Sequence, residues 1–334
     1  MTTELGPTRC KLALRPTPLE LARRASAELG IELWIKRDDL TGSTLSGNKI
    51  RKLEVLLADA ERLGADVVLT CGGAQSNHAR ATAIAARQLG MDAVLFLRGA
   101  ATAHLSGNLL LDRLVGAEIR AITPEEYRQR DALMAEAAAT LKASGRRPYV
   151  IPEGGSNALG SYGYYAAAQE LRAQTEERGF APDWLITAVG SGGTFAGLAA
   201  AVARREIGGR LLGFAVCDDR ATFRARAESI LAEMGSRFDW SIEGLPASCD
   251  IEDGYVGRGY GLNRPDELET LRWIASTEGL ILDPVYTGKA LHGLVAEVRR
   301  GRIAAGSRVV FWHTGGIFGL FRGDEAEQVA GAPG

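Results

Sequence analysis

Several things are scarce in these 334 residues. No stretch approaches the ~20 consecutive apolar residues that cross a bilayer, so a membrane span is not expected. Neither sign of charge dominates: 39 Lys and Arg against 41 Asp and Glu leave a net charge of −2. That provides no electrostatic footprint for nucleic acid or an anionic membrane. The four cysteines (Cys10, Cys71, Cys217, Cys249) are scattered, with no CxxC spacing and no pairing with the four histidines. Neither a disulfide framework nor a metal site is indicated, and each cysteine reads as a small buried hydrophobe. The opening segment, MTTELGPTRCKLALRPTPLELARR, lacks the charged-then-apolar layout of a secretory signal, and a reducing cytoplasmic setting is the expectation. Internal repeats and low-complexity linkers are also missing.

What is present is ordinary globular composition, 46% hydrophobic and 24% charged, on a chain long enough for two domains or one large α/β unit. Strand-like Ile31–Lys36 leads through a Thr41-Gly42-Ser43 turn to a helix over 49–63. From there strands (66–71, 93–97, 118–122, 148–151) alternate with helices (to 89, 106–115, 124–144). After Gly154-Gly155-Ser156-Asn157, a crossing point between domains, the pattern resumes. Helix 160–178, strand 184–188, helix 194–205 and strand 211–216 follow, then helices 221–235, 265–278 and 289–300 and strand 307–312. A short amphipathic helix is expected within 8–24, residues 217–265 read as less regular, and the last dozen residues as a frayed tail. The alternation predicts an α/β protein with parallel-rich sheets and helices on both faces.

Four glycine-bearing turns carry the chemistry. Ser46-Gly47-Asn48-Lys49 delivers a lysine to a helix start, with Lys52 one turn later. A lone GNK tripeptide is ordinarily solvated surface, but partial burial and neighbouring positive charge would make Lys49 an amine nucleophile and Lys52 an anion holder. Gly190-Ser191-Gly192-Gly193-Thr194, between an apolar strand and a helix, has the form of a phosphate nest. It is neither a Walker loop nor a dinucleotide fingerprint. Gly72-Gly73-Ala74-Gln75-Ser76-Asn77-His78 places short polar groups at a helix start, where one residue can cap while its neighbour faces a cleft. His78 reads as structural rather than as a base. Asp283-Pro284-Val285-Tyr286-Thr287-Gly288-Lys289, with Tyr260 upstream, offers tyrosine proton donors. Phe311-Trp312-His313-Thr314-Gly315-Gly316 is a strand end opening toward a crevice.

A lysine, an asparagine, a phosphate nest and a polar late strand end together make a pyridoxal-phosphate kit. KRDDLTG, SGNKIRKLE, GGAQSNHAR, GSGGTFAGL, DPVYTGKAL and FWHTGG, in this order across residues 36–316, resemble the 1-aminocyclopropane-1-carboxylate deaminase/D-cysteine desulfhydrase family. That family has the tryptophan-synthase-β-like fold, type II among pyridoxal 5'-phosphate (PLP) enzymes. The resemblance implies a small domain of about 50–160 inserted into a large one formed by 1–49 and 161–334, and a homodimer. It implies that Lys49 carries the cofactor as a Schiff base and later moves the Cα proton. Asn77 would bond the ring hydroxyl, and Ser76 would meet the substrate carboxylate. Lys52 and the backbone of Gly190, Ser191, Gly192, Gly193 and Thr194 would hold the phosphate, and Tyr286 and Tyr260 would line the substrate pocket.

One departure separates the branches. The cyclopropane deaminases carry Glu where this chain has Thr287, and a threonine, with Thr314 nearby, cannot keep the ring nitrogen protonated as a carboxylate does. Elimination of a thiol needs less of an electron sink than ring opening. The expected activity is therefore αβ-elimination on a β-substituted alanine, D-cysteine foremost. An L-cysteate lyase, whose sulfonate Arg51, Arg80 or Arg258 would meet, and a cyclopropane deaminase are the alternatives. A racemase, a β-replacement enzyme and a non-catalytic binding protein are more remote. The partner expected is a small amino acid.

Overall fold

The computed structural model describes residues 6–322 and 329–331. Most of the expected tail lies outside the described residues. The elements run β1 (Leu19–Leu21), α1 (Arg23–Leu29), β2 (Glu32–Lys36), α2 (Lys49–Arg62), β3 (Val67–Gly73), α3 (Asn77–Gln88) and β4 (Asp92–Arg98). Then come α4 (Gly107–Leu114), β5 (Glu118–Ile122), α5 (Pro124–Tyr127), α6 (Arg130–Ala143), β6 (Pro148–Val150) and α7 (Ala158–Glu177). The chain continues through β7 (Trp184–Val189), α8 (Gly193–Ala203), β8 (Arg210–Ala215), α9 (Arg220–Phe238) and β9 (Cys249–Glu252). It closes with α10 (Pro265–Glu278), α11 (Thr287–Arg299) and β10 (Arg308–Trp312).

Two sheets result, a six-stranded one ordered β1-β2-β10-β7-β8-β9 and a four-stranded one ordered β5-β4-β3-β6. Among the described residues only the β1–β2 pair is antiparallel; every other pairing there is parallel. Parallel strands covered on both faces must be apolar throughout, and β7 (Trp-Leu-Ile-Thr-Ala-Val) is buried at all of its positions. The α/β architecture and the parallel-rich sheets are as read from the sequence.

Four details differ. The short helix expected within 8–24 begins only at Arg23 and runs to Leu29, after a strand at Leu19–Leu21. The stretch expected as one helix over 124–144 breaks after Tyr127 into α5 and α6; the capping box of Thr123 and Glu126, with Pro124 at the first turn, fixes where α5 starts. Strands β1 and β9 were not foreseen: each is at most four residues, too short to show alternation. Cys71 and Cys249 are buried as expected, but Cys10 and Cys217 are partly exposed. Among the described residues no helix is long and apolar enough to cross a membrane.

Candidate active site

The carboxyl ends of β3, β7 and β10 converge on one cavity of about 380 Å³, lined also by the start of α2. Parallel strands place their following turns at a common edge, so glycine turns far apart in sequence meet there. Lys49, Ser76, Asn77, Gly190, Ser191, Gly192, Thr194, Tyr260, Tyr286 and Thr314 all line this cavity.

Lys49 is the first residue of α2 and follows Asn48, whose amide donates to Thr194 Oγ1 at 3.0 Å. Burial lowers the Lys49 ammonium to about 8, against a smaller opposing pull from Glu153. At pH 7 about a tenth of this amine is therefore unprotonated and nucleophilic, far more than of an ordinary lysine. Lys52 stands one turn on, fully buried, its Nζ donating to Gly154 O at 3.0 Å and Ser156 Oγ at 3.2 Å. Burial, and then the Lys49 charge, push its pKa well down, so its charged form is disfavoured until an anion stands beside it.

The loop after β7 is a cradle sized for that anion. Gly192 has φ +89, which L side chains rarely adopt, and a Cβ on Gly193 would stand 2.6 Å from Ser156 Oγ and 2.7 Å from Lys52 Nζ. Helix α8 begins there, so the positive end of its dipole lies at the same space, beside Ser191 and Ser156, whose hydroxyls are 2.9 Å apart. At the opposite wall Ser76 caps α3 by accepting from Ala79 N at 3.1 Å, leaving its own hydroxyl proton free. His78, read from the sequence as structural, also lines the cavity; its Nε2 pairs with Thr70 Oγ1 at 2.9 Å, and burial with Lys49 and Lys52 nearby favours the neutral ring. The Tyr260 and Tyr286 hydroxyls are 2.7 Å apart, and burial holds Tyr286 well above the ordinary phenol range, as a donor rather than a phenolate.

Three expected site residues stand outside the lining. Lys52 and the Gly193 backbone sit behind the cradle wall; Gly193 N already donates to Ser156 Oγ at 3.2 Å. Thr287, expected beside the ring nitrogen, is fully buried and donates to Asp283 Oδ1 at 2.6 Å. The buried Asp283 carboxylate needs donors, and the turn that leads into α11, together with its first residue, supplies them. Of the pair, Thr314 is the hydroxyl that lines the cavity. None of Arg51, Arg80 and Arg258 lines it either: Arg51 and Arg80 are buried in scaffolding hydrogen bonds and Arg258 lies on the surface.

Sequence reading missed a charged wall. Glu153 lies in the cavity, accepting from Tyr127 Oη at 2.5 Å and paired with Arg130 at 3.1 Å. The Arg98 and Arg130 guanidinium groups both lie over the Tyr127 ring, 4.7 and 5.0 Å from its centroid. These residues come from β4, α5, α6 and the turn after β6, with no local motif to announce them. Cys71 and Cys217 also line the cavity, their thiols pushed up to about 12 and about 11 by burial, so neither is a thiolate nucleophile.

The donor set suits pyridoxal 5'-phosphate: a low-pKa amine, a glycine cradle with an uncompensated buried cation behind it, and an amide and hydroxyls around the space between. The family profile for pyridoxal-phosphate-dependent enzymes matches residues 10–315. The chain belongs to that family. Within it, the chain is 40% identical over 337 residues to a mitochondrial bifunctional D-cysteine desulfhydrase/1-aminocyclopropane-1-carboxylate deaminase of Arabidopsis thaliana, covering 96% of this chain and 80% of the relative. It is 39% identical over 324 residues to a D-cysteine desulfhydrase of Salmonella schwarzengrund, covering 94% and 95%. A crystal structure of an ACC deaminase homologue superposes with a TM-score of 0.89 at 39% identity, covering 97% of this chain and 96% of that one. This is a PLP-dependent enzyme of the 1-aminocyclopropane-1-carboxylate deaminase/D-cysteine desulfhydrase family, with the type II fold.

Proposed function

We propose that this enzyme catalyses αβ-elimination on a β-substituted alanine, with D-cysteine as the preferred substrate: D-cysteine and water give pyruvate, ammonia and hydrogen sulfide. Lys49 would hold the cofactor, the 190–194 loop, Ser156 and Lys52 its phosphate, and Asn77 its ring hydroxyl. The bound cofactor supplies the electron sink that makes the substrate Cα proton acidic. Lys49, with its pKa near 8, takes that proton. Ser76, at the start of α3, orients the substrate carboxylate, and the helix N-terminus favours its charge. Tyr286, kept protonated by burial and bonded to Tyr260, donates toward the departing sulfur.

The observation that carries this choice is the state of Asp283. Its oxygens accept from Val285 N, Tyr286 N, Thr287 N and Thr287 Oγ1 at 2.6–2.9 Å. A carboxylate so saturated has no lone pair to offer a pyridinium, and the neighbouring cavity-lining side chain, Thr314, is neutral. The site therefore supports a leaving group that departs without the fullest electron sink, and a thiol is one. The names of the relatives favour 1-aminocyclopropane-1-carboxylate as a second substrate. Release of the 2-oxo acid by the PLP-loaded enzyme decides between them: pyruvate from D-cysteine, L-cysteine, L-cysteate and β-chloro-D-alanine, 2-oxobutyrate from the cyclopropane amino acid. D-cysteine is expected to have the highest kcat/KM; release from the cyclopropane amino acid and none from D-cysteine would overturn the proposal.

A further inference from the structure

Asparagine amides can face either way, and which way Asn77 faces decides whether it offers the cavity a donor or an acceptor. Here the answer is imposed from outside the cavity. Arg80, on α3 and fully buried, can only donate, and its Nε points at a side-chain atom of Asn108 at 2.8 Å, which must therefore be Oδ1. The other terminal atom of Asn108 is then Nδ2. It stands 3.0 Å from the backbone carbonyl of Gln75, which can only accept, so the assignment is fixed twice. The same Nδ2 stands 3.0 Å from Asn77, so the Asn77 atom facing it is Oδ1. Asn77 Nδ2 is left turned away, on a residue that lines the cavity.

Asn108 is itself locked. It is fully buried at the start of α4, and its backbone N–H donates to Gln75 Oε1 at 2.9 Å, while Gln75 Nε2 donates to Ser106 O at 3.0 Å. Arg80 is locked at its far end by the carbonyls of Thr44 and Ser46, in the turn that leads to Lys49. One guanidinium therefore spans from the lysine turn to the amide that fixes Asn77.

We propose that Asn108, held by Arg80, is a positioning residue that sets the polarity of Asn77, so that Asn77 presents N–H to the cofactor's ring oxygen and favours its anionic form. This rests on the reading that Asn77 meets that ring oxygen, and the test separates the two. Asn108→Asp is nearly isosteric and keeps an acceptor for Arg80, but its second oxygen accepts where Nδ2 donated. Asn77 must then turn its amide over and aim Oδ1 at the cavity.

The readouts are the visible absorbance of the bound cofactor, its pH titration, and the apparent Kd for PLP added to apoprotein. Asn77→Ala is expected to shift the band toward the neutral-hydroxyl form and raise the Kd roughly tenfold, the worth of one hydrogen bond to a charged oxygen. Asn108→Asp is expected to shift the spectrum in the same direction, and by no less, because it puts an acceptor opposite an anion. In the Asn77→Ala background, Asn108→Asp is expected to add less than twofold. An unchanged spectrum in Asn77→Ala would overturn the ring-oxygen reading itself. A shift in Asn77→Ala with none in folded Asn108→Asp would overturn the positioning role alone, as would an equal effect of Asn108→Asp with and without Asn77. Should Asn108→Asp not accumulate as folded protein, Asn108→Leu, which frees the Asn77 amide to turn, carries the same test. Its expected shift is in the same direction but smaller, and no shift would overturn the role.

Discussion

Arg51 and Lys52 are neighbours on α2, both buried, and their surroundings are opposite. Arg51 bonds both oxygens of Asp38 at 2.8 Å and both of Glu170 at 2.8–3.0 Å. Lys36 reaches the same Glu170 at 2.6 Å, while Tyr164 and Trp312 also donate to Asp38. Burial alone would lift Glu170, but Arg51 and Lys36 hold it at about 2, and the two carboxylates hold Arg51 well above its ordinary value. Lys52 meets only a carbonyl and a hydroxyl, and Lys49 meets no carboxylate within bonding distance. On one face of the helix charge is cancelled inside the protein. On the other it is left for a ligand to cancel, which is how a structural cation and a binding cation can be told apart.

The largest expected effect comes from removing the reactive end of the uncancelled face. Lys49→Ala is expected to abolish the visible absorbance of the PLP-loaded protein and to lower pyruvate release by roughly a thousandfold or more, the usual worth of a positioned base together with a covalent anchor. Its thermal unfolding should stay near wild type. An unchanged spectrum would place the anchoring lysine elsewhere.

Arg51→Met and Lys52→Met then set the two faces directly against each other. Losing Arg51 strands Asp38 and Glu170 in the interior and is expected to cost about 3–5 kcal/mol of stability, measured by denaturant unfolding of the apoprotein. Losing Lys52 removes a buried charge that has no counter-ion. The apoprotein is expected to be unchanged or up to about 1 kcal/mol more stable, while the apparent Kd for PLP rises roughly 10–100-fold. If both variants destabilised the apoprotein equally, the distinction between the faces would fail.

This asymmetry marks the limit of what the sequence shows. SGNKIRKLE announces a helix that starts on a cavity lysine, Lys49, with Lys52 one turn behind it, because a glycine turn before an amphipathic run is local information. It is silent on Arg51, whose partners Asp38 and Glu170 lie 13 and 119 residues away. The nest at 190–194 was legible for the same reason as Lys49: backbone shape follows from adjacent glycines. Glu153, Tyr127 and Arg98 were not, since the end of β4, helix α5 and the turn after β6 bring them together from separate parts of the chain. Thr287 is the instructive error. It sits next to Tyr286, which does line the cavity, but a helix start rotates successive side chains by about 100°, and Thr287 faces Asp283 instead. Adjacency in sequence placed it at the site; the helix turned it away.

The smallest expected effect tests the Lys49 environment without any cofactor. Its folded pKa, about 8, lies below the ordinary 10.5. Between these values the unfolded chain keeps a proton that the folded protein has released, so stability contributed by this group rises with pH. Below about pH 8 both states are protonated, and the group adds only its constant burial penalty. The gain is bounded at about 1.4 kcal/mol per pH unit and is smaller near pH 8, where titration is partial. The buried thiols act oppositely, since Cys71 and Cys249 are pushed up to about 12 and the unfolded chain ionises them first. The raw pH profile therefore mixes both signs, and the informative quantity is the difference between wild-type apoprotein and Lys49→Met. The thiols cancel in that difference. Wild type is expected to gain on the variant steadily from pH 8 to 9.5 and to show no pH-dependent gain between 6 and 7. A flat difference throughout would mean that Lys49 is as well solvated as any surface lysine. The uncancelled face of α2 would then lose the property that sets it apart from the face carrying Arg51.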